Sequence, residues 1–190
     1  MTVRFIIIIL ATAFLAACED NTATAVPSPV SMTDDALGHY CQMNLAEHEG
    51  PKAQIHLAGQ DHPIWFSQVR DAIAYTRLPE ETADVAAVYV SDMGRAPSWA
   101  HPGVDNWVAA EKAIYVIESR SRGGMGAPEA VPFAEETAAQ EFAAANGGRL
   151  VGLEQIPDAY VLGPVDVTIS PPGDPATGDR EDSMESSEGS

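Results

Sequence analysis

Along the chain the apolar positions change period several times, and each change marks an element. Residues 54–58 and 63–66 are short apolar segments separated by Gly59-Gln60-Asp61-His62, the pattern of a β-hairpin. From 67 to 78 the apolar positions Val69, Ala72, Ile73 and Tyr75 fall at helical spacing, with Ser67 as the expected N-cap. Residues 85–90 then read as a buried strand. The same order recurs further on. Residues 113–118 alternate as a strand and 130–133 form a short second one. An alanine-rich helix over 134–145 is halted by Asn146-Gly147-Gly148, and 150–153 close the set. Both halves read strand, strand, helix, strand, and each helix follows a phenylalanine, Phe66 or Phe133. The expected fold is therefore α+β: two related ββαβ halves, an internal duplication, forming small sheets each covered by its helix. Two stretches break the pattern, 91–107 and 121–128. Unpatterned loops of the first length are uncommon in a compact domain and usually functional.

The ends of the chain are of a different character. Arg4 is followed by the apolar run 5–10 and then small residues as far as Ala17. That core is too short to span a membrane, which takes roughly 20 apolar residues. It has the build of a secretory signal, and Leu15-Ala16-Ala17-Cys18 resembles the cleavage and lipidation site of bacterial lipoproteins. The expected organisation is a signal peptide over 1–17 and a mature chain starting at a lipidated Cys18. A flexible tether follows over 18–37, then one domain over 38–168, and a disordered acidic tail over 169–190. The protein is expected in the periplasm, lipid-anchored to a bacterial membrane. A formal charge of −18 makes nucleic acid a poor partner, since polyanions require a basic footprint.

Lipidation of Cys18 would leave Cys41, the only other cysteine, without an intramolecular disulfide partner. Met43 stands two residues beyond it. Thiolate and thioether are the donors that Cu(I) prefers. In an extended segment, residues two apart face the same way, so Cys41 and Met43 would offer both sulfurs to one ion. Two ligands are too few. Met125 is the best third donor, because Gly123, Gly124 and Gly126 let the backbone approach closely and leave the side chain exposed. Met93, in another glycine-flanked loop, is hard to assign to a core. Of the histidines His39, His48, His56, His62 and His101, each taken alone reads as structural or exposed, and His39 is a reserve ligand by its closeness to Cys41. Zinc would call for four Cys or His ligands at recognisable spacing, and Ca²⁺ for an Asp-rich loop; neither pattern is present in the sequence. Two other readings stay open. Cys41 is a nucleophile in a thiol enzyme with a histidine base, or it merely packs in a lipid-anchored scaffold.

These segments resemble the NosL family, lipoprotein accessory proteins of nitrous oxide reductase. The resemblance is carried by Cys41-Gln42-Met43, Phe66-Ser67, Ser91-Asp92-Met93-Gly94, Trp99 with Trp107, and above all Tyr115-Val116 through Gly123-Gly124-Met125-Gly126-Ala127-Pro128 into Pro132-Phe133. It runs from about His39 to Leu153. It implies a Cu(I) chaperone, not an enzyme, that supplies copper for the copper–sulfide centre of nitrous oxide reductase. It implies two ββαβ halves like the core of organomercurial lyase, and as partners the reductase and a membrane ABC-type maturation complex. By position, the implied copper ligands are Cys41, Met43 and Met125, with a histidine whose identity the sequence leaves open.

Overall fold

The computed structural model describes residues 25–165. The signal peptide, Cys18 and the acidic tail lie outside them. The first half consists of β1 (Ala53–Leu57), β2 (Ile64–Phe66), α1 (Val69–Tyr75) and β3 (Val85–Ser91). An unforeseen strand, β4 (Trp107–Ala109), adds an edge, giving the order β2-β1-β3-β4. The second half repeats the plan with β5 (Ile114–Ile117), β6 (Val131–Phe133), α2 (Glu136–Asn146) and β7 (Arg149–Gly152), in the order β6-β5-β7. In both sheets the first strand of the half is central and pairs antiparallel with the other two. The matching order is what an α+β fold of two related ββαβ halves requires.

Burial follows from this layering. Ala53, Ile55, Phe66 and Val90 turn one face of the first sheet towards Val69 and Ile73 of α1. Tyr115, Ile117 and Val151 of the second sheet join the same core, together with Val161 of a final short helix, α3 (Asp158–Leu162). Val116, Val131 and Phe133 occupy the opposite face of the second sheet and pack on Ala139 and Phe142 of α2. β5 is thus covered on both sides, so its burial is nearly continuous where alternation was expected.

Three expectations need correction. Part of the stretch assigned to the tether is docked on the outer face of the first sheet. The amide and carbonyl of Val30 both bond the Gln54 side chain, at 2.9 Å each, and Tyr89 Oη donates to Pro27 O. Gln54 also meets His56 Nε2 at 2.9 Å, so two polar side chains lie buried beneath this strap with their partners supplied. Second, α1 is shorter than its apolar spacing suggests. Gln68, whose backbone is still extended, is the N-cap in place of Ser67, and its side chain makes no capping bond. Third, the long stretch 91–107 is largely braced. Asp92 Oδ1 accepts from Gly94 N and Ala134 N, Asn106 donates to Asp92 O and Pro102 O, and Trp99 stacks on Phe142. Met93 packs into the second core cluster and is not an exposed donor.

Candidate metal centre

Cys41 is not on an extended segment. It lies in a tight turn closed by the Leu37–Asn44 bridge, in which Gly38 N donates to Met43 O and Gln42 N to Gly38 O. Gln42, between the two sulfur residues, takes a left-handed backbone (φ 55°), held by its own amide group donating to His39 O at 2.6 Å. The Cys41 thiol folds back over this turn. A Cβ at position 38 would fall on Cys41 Sγ, so glycine is what makes room for it.

Next along the chain, Asn44 accepts from Ala46 N and caps a single 3-10 turn, Leu45–Glu47, which delivers His48. His48 is the histidine that reaches the thiol. Its Nε2 stands 3.9 Å from Cys41 Sγ, and its Nδ1 is 3.1 Å from Gly124 O. A carbonyl can only accept, so Nδ1 donates to Gly124 O and Nε2 is the ring nitrogen turned towards Cys41. Metal-binding histidines are commonly oriented in this way. Ser67 Oγ approaches the thiol from β2 at 3.7 Å. One imidazole therefore joins the Cys41 turn to the loop that carries Met125.

That loop lies tightly on the rest of the protein. A side chain at Gly124 would meet His48 Cβ at 2.7 Å and the carbonyls of Glu49 and Ser67 at 3.0 and 3.1 Å. A side chain at Gly123 would run into Glu129 Oε2 and Gln68 Oε1. The backbone approach expected of these glycines is thus required at both. Met43 and Met125 remain 40% and 45% exposed, while Cys41 is half-buried. Among the described residues no three or more His, Cys, Asp or Glu side chains gather as a metal site. Cys41 and His48 are two such groups that meet here.

His39, the reserve ligand, has a different place. Its ring packs against Tyr40, Phe66 and Tyr75 at centroid distances of 5.2, 5.6 and 5.5 Å. The sequence signal that could have singled out His48 is faint: a capping asparagine four residues before it. Near the loop stand two buried ionisable groups, Glu129 and Lys52, and half-buried Asp71. Glu129 is wholly buried, which pushes its carboxyl up to about 8. Burial brings the Lys52 ammonium down to about 8 and also raises Asp71. Burial, with the charges of Glu81 and Asp71, lifts Tyr40 beside the turn to about 12.

The NosL family model matches residues 29–161. The copper-binding lipoprotein NosL of Achromobacter cycloclastes is 52% identical over 172 residues, covering 90% of this chain and 89% of that one. The protein of the same name from Stutzerimonas stutzeri is 33% identical over 134 residues, covering 70% and 68%. Among solved structures, the copper chaperone NosL from Shewanella denitrificans superposes with a TM-score of 0.65 at 28% identity, covering 70% of this chain and 97% of that one. The family model, the relatives and the shared fold agree with the residues that carried the resemblance, and the chain belongs to the NosL family.

Proposed function

We propose that this protein is a membrane-anchored copper chaperone that carries Cu(I) on Cys41, Met43 and Met125, with His48 as a further donor, and hands it on for assembly of nitrous oxide reductase. The observation that carries the reading is the position of His48, bonded to the Met125 loop at one ring nitrogen and facing the Cys41 thiol with the other. Thiolate, thioether and neutral imidazole are a donor set that suits Cu(I). The copper is cargo, and the exposure of both methionines leaves it open to attack by a receiving ligand. Relatives named as copper-binding lipoproteins support the metal and the anchor, which would be attached at Cys18. The reductase and a membrane ABC-type complex as partners, and a periplasmic location, are part of this proposal and rest on the resemblance alone.

The test is an anaerobic Cu(I) titration of the domain begun after Cys18, in competition with a colorimetric chelator. Wild type should bind about one copper per chain, and Cys41→Ser should weaken binding by at least about a hundredfold. Equal binding by both proteins would remove the thiolate from the site. The Cys41–His48 approach also favours a second reading, a nucleophilic thiol with an imidazole base. That reading predicts catalytic turnover abolished by alkylating Cys41 in copper-free protein, where the chaperone reading predicts none to abolish.

A further inference from the structure

The Met125 loop is held by a cross-brace to helix α1 that takes no part in the donor set itself. Gln68, the N-cap of α1, accepts from the backbone amide of Met125 at 3.0 Å through Oε1. Its other end is fixed, because Nε2 donates to Asp71 Oδ2 at 2.8 Å, one turn into the helix. The return strut comes from Glu129, just past the loop. Glu129 Oε1 accepts from Arg70 N at 2.8 Å and so satisfies a first-turn amide of α1 that Gln68 leaves free. It also accepts from Ala130 N at 2.9 Å. Glu129 Oε2 has no hydrogen-bond partner and lies, with Gln68 Oε1, against Gly123 of the loop, where any side chain would collide with both. The helix thus holds the loop through Gln68, and the chain after the loop holds the helix through Glu129.

We infer that Gln68 is a positioning residue for copper: braced by Asp71 and seated beside Glu129, it fixes the backbone of Met125 so that the thioether is set for the ion before the ion arrives. The inference rests on Met125 being a ligand. An unbraced loop would have to be ordered on binding, and the entropy of doing so would be subtracted from affinity. Gln68 does not touch the ion, so its effect must pass through the Gly124–Met125 peptide, whose amide it holds and whose carbonyl bonds His48.

A double-mutant cycle in the chelator competition tests this, using Gln68→Ala, Met125→Leu and the two combined. Gln68→Ala should weaken Cu(I) binding about tenfold in the wild-type background and clearly less in Met125→Leu, where only the effect through His48 is left. X-ray absorption of copper-loaded Gln68→Ala should show fewer sulfur neighbours than wild type, which a general loss of stability would not produce. Should Gln68→Ala fold poorly, Asp71→Ala frees the far end of Gln68 and should show the same coupling, more weakly. Equal weakening in both backgrounds, with a normal Met125→Leu effect, would overturn the brace alone. Met125→Leu without effect on affinity would overturn the ligand assignment, and the brace with it.

Discussion

At the scale of single residues, the Cys41 thiol lies over the room left by Gly38 and is faced by the imidazole of His48 at 3.9 Å. Cys41, Met43 and Met125 stand out by residue type and by their glycine-rich surroundings. The Cys41 turn depends on Gln42 in a left-handed conformation, which glutamine does not advertise. The approach of His48 to the thiol depends on a 3-10 turn that carries it to Gly124, 76 positions away in sequence. Replacing His48 by Gln should cost about tenfold in Cu(I) affinity and remove the nitrogen neighbour from the X-ray absorption spectrum. His39→Phe, which changes only an aromatic cluster, should leave both readouts unchanged. Glu129 predicts a pH effect. Burial raises its pKa from 4.5 to about 8, so the folded protein keeps a proton that the unfolded chain gives up above about 4.5. The stability this contributes is complete below that value and is lost as pH rises towards 8. Lys52, the cation coupled to it, keeps its charge through that window, since burial brings it down only to about 8. Glu129→Gln cannot ionise. Its urea stability relative to wild type should therefore rise by at least about 1 kcal/mol between pH 5 and pH 8. Parallel pH profiles would show that Glu129 is already ionised in the folded protein.

At the scale of elements, the strand-strand-helix-strand order of both halves was legible because core periodicity and turn chemistry agreed. The helix α2 stop at Asn146-Gly147-Gly148 is a case in point. Gly147 has φ 75° and caps the helix by donating to Ala143 O, and Gly148 has φ 99°. The start of α1 departs from the expected one for the opposite reason: Ser67 has the chemistry of a cap, but its hydroxyl faces Cys41 and the extended Gln68 takes the N-cap position. β4 was hidden because its three residues follow a long loop and pair only with β3. Two glycines in left-handed conformations separate backbone strain from steric fit. Gly59 at the β1–β2 turn has nothing within 4 Å of a would-be Cβ, so Gly59→Ala should cost only the conformational strain, about 1 kcal/mol. At Gly148 the added carbon would meet Ile117 O at 2.5 Å and Val116 Cγ1 at 2.9 Å, in the strand that centres the second sheet. Gly148→Ala should cost about 3 kcal/mol or more, measured by urea unfolding of both variants under the same conditions. Similar losses at the two sites would mean that the sheet yields where the contacts say it is rigid.

At the scale of the whole molecule, composition misjudged where the folded unit begins. A stretch of Pro, Ser, Thr and Asp looks like a tether because it cannot build a core of its own. Here it is held by a core already built: Val30 pairs with Gln54, Pro27 receives Tyr89, Met32 N donates to Val104 O, and Ala36 is buried. The sequence does hint at this in Gln54 and His56, polar residues on a strand with no exposed position, but only the fold shows what satisfies them. Under the proposed function, such a strap would set the direction in which the chain leaves towards a lipid at Cys18, and so limit how the Cys41 turn, which begins directly after it, is oriented to the membrane. Gln54→Ala removes both bonds to Val30 together with the partner of His56, and should cost about 2 kcal/mol. The loss should be local. Hydrogen exchange at Val30 should rise towards that of an unprotected amide, and at Met32 by a smaller factor, while the β5 amides keep their protection. Uniform acceleration throughout the protein would instead make Gln54 part of the global core, and the strap an inseparable piece of the first sheet.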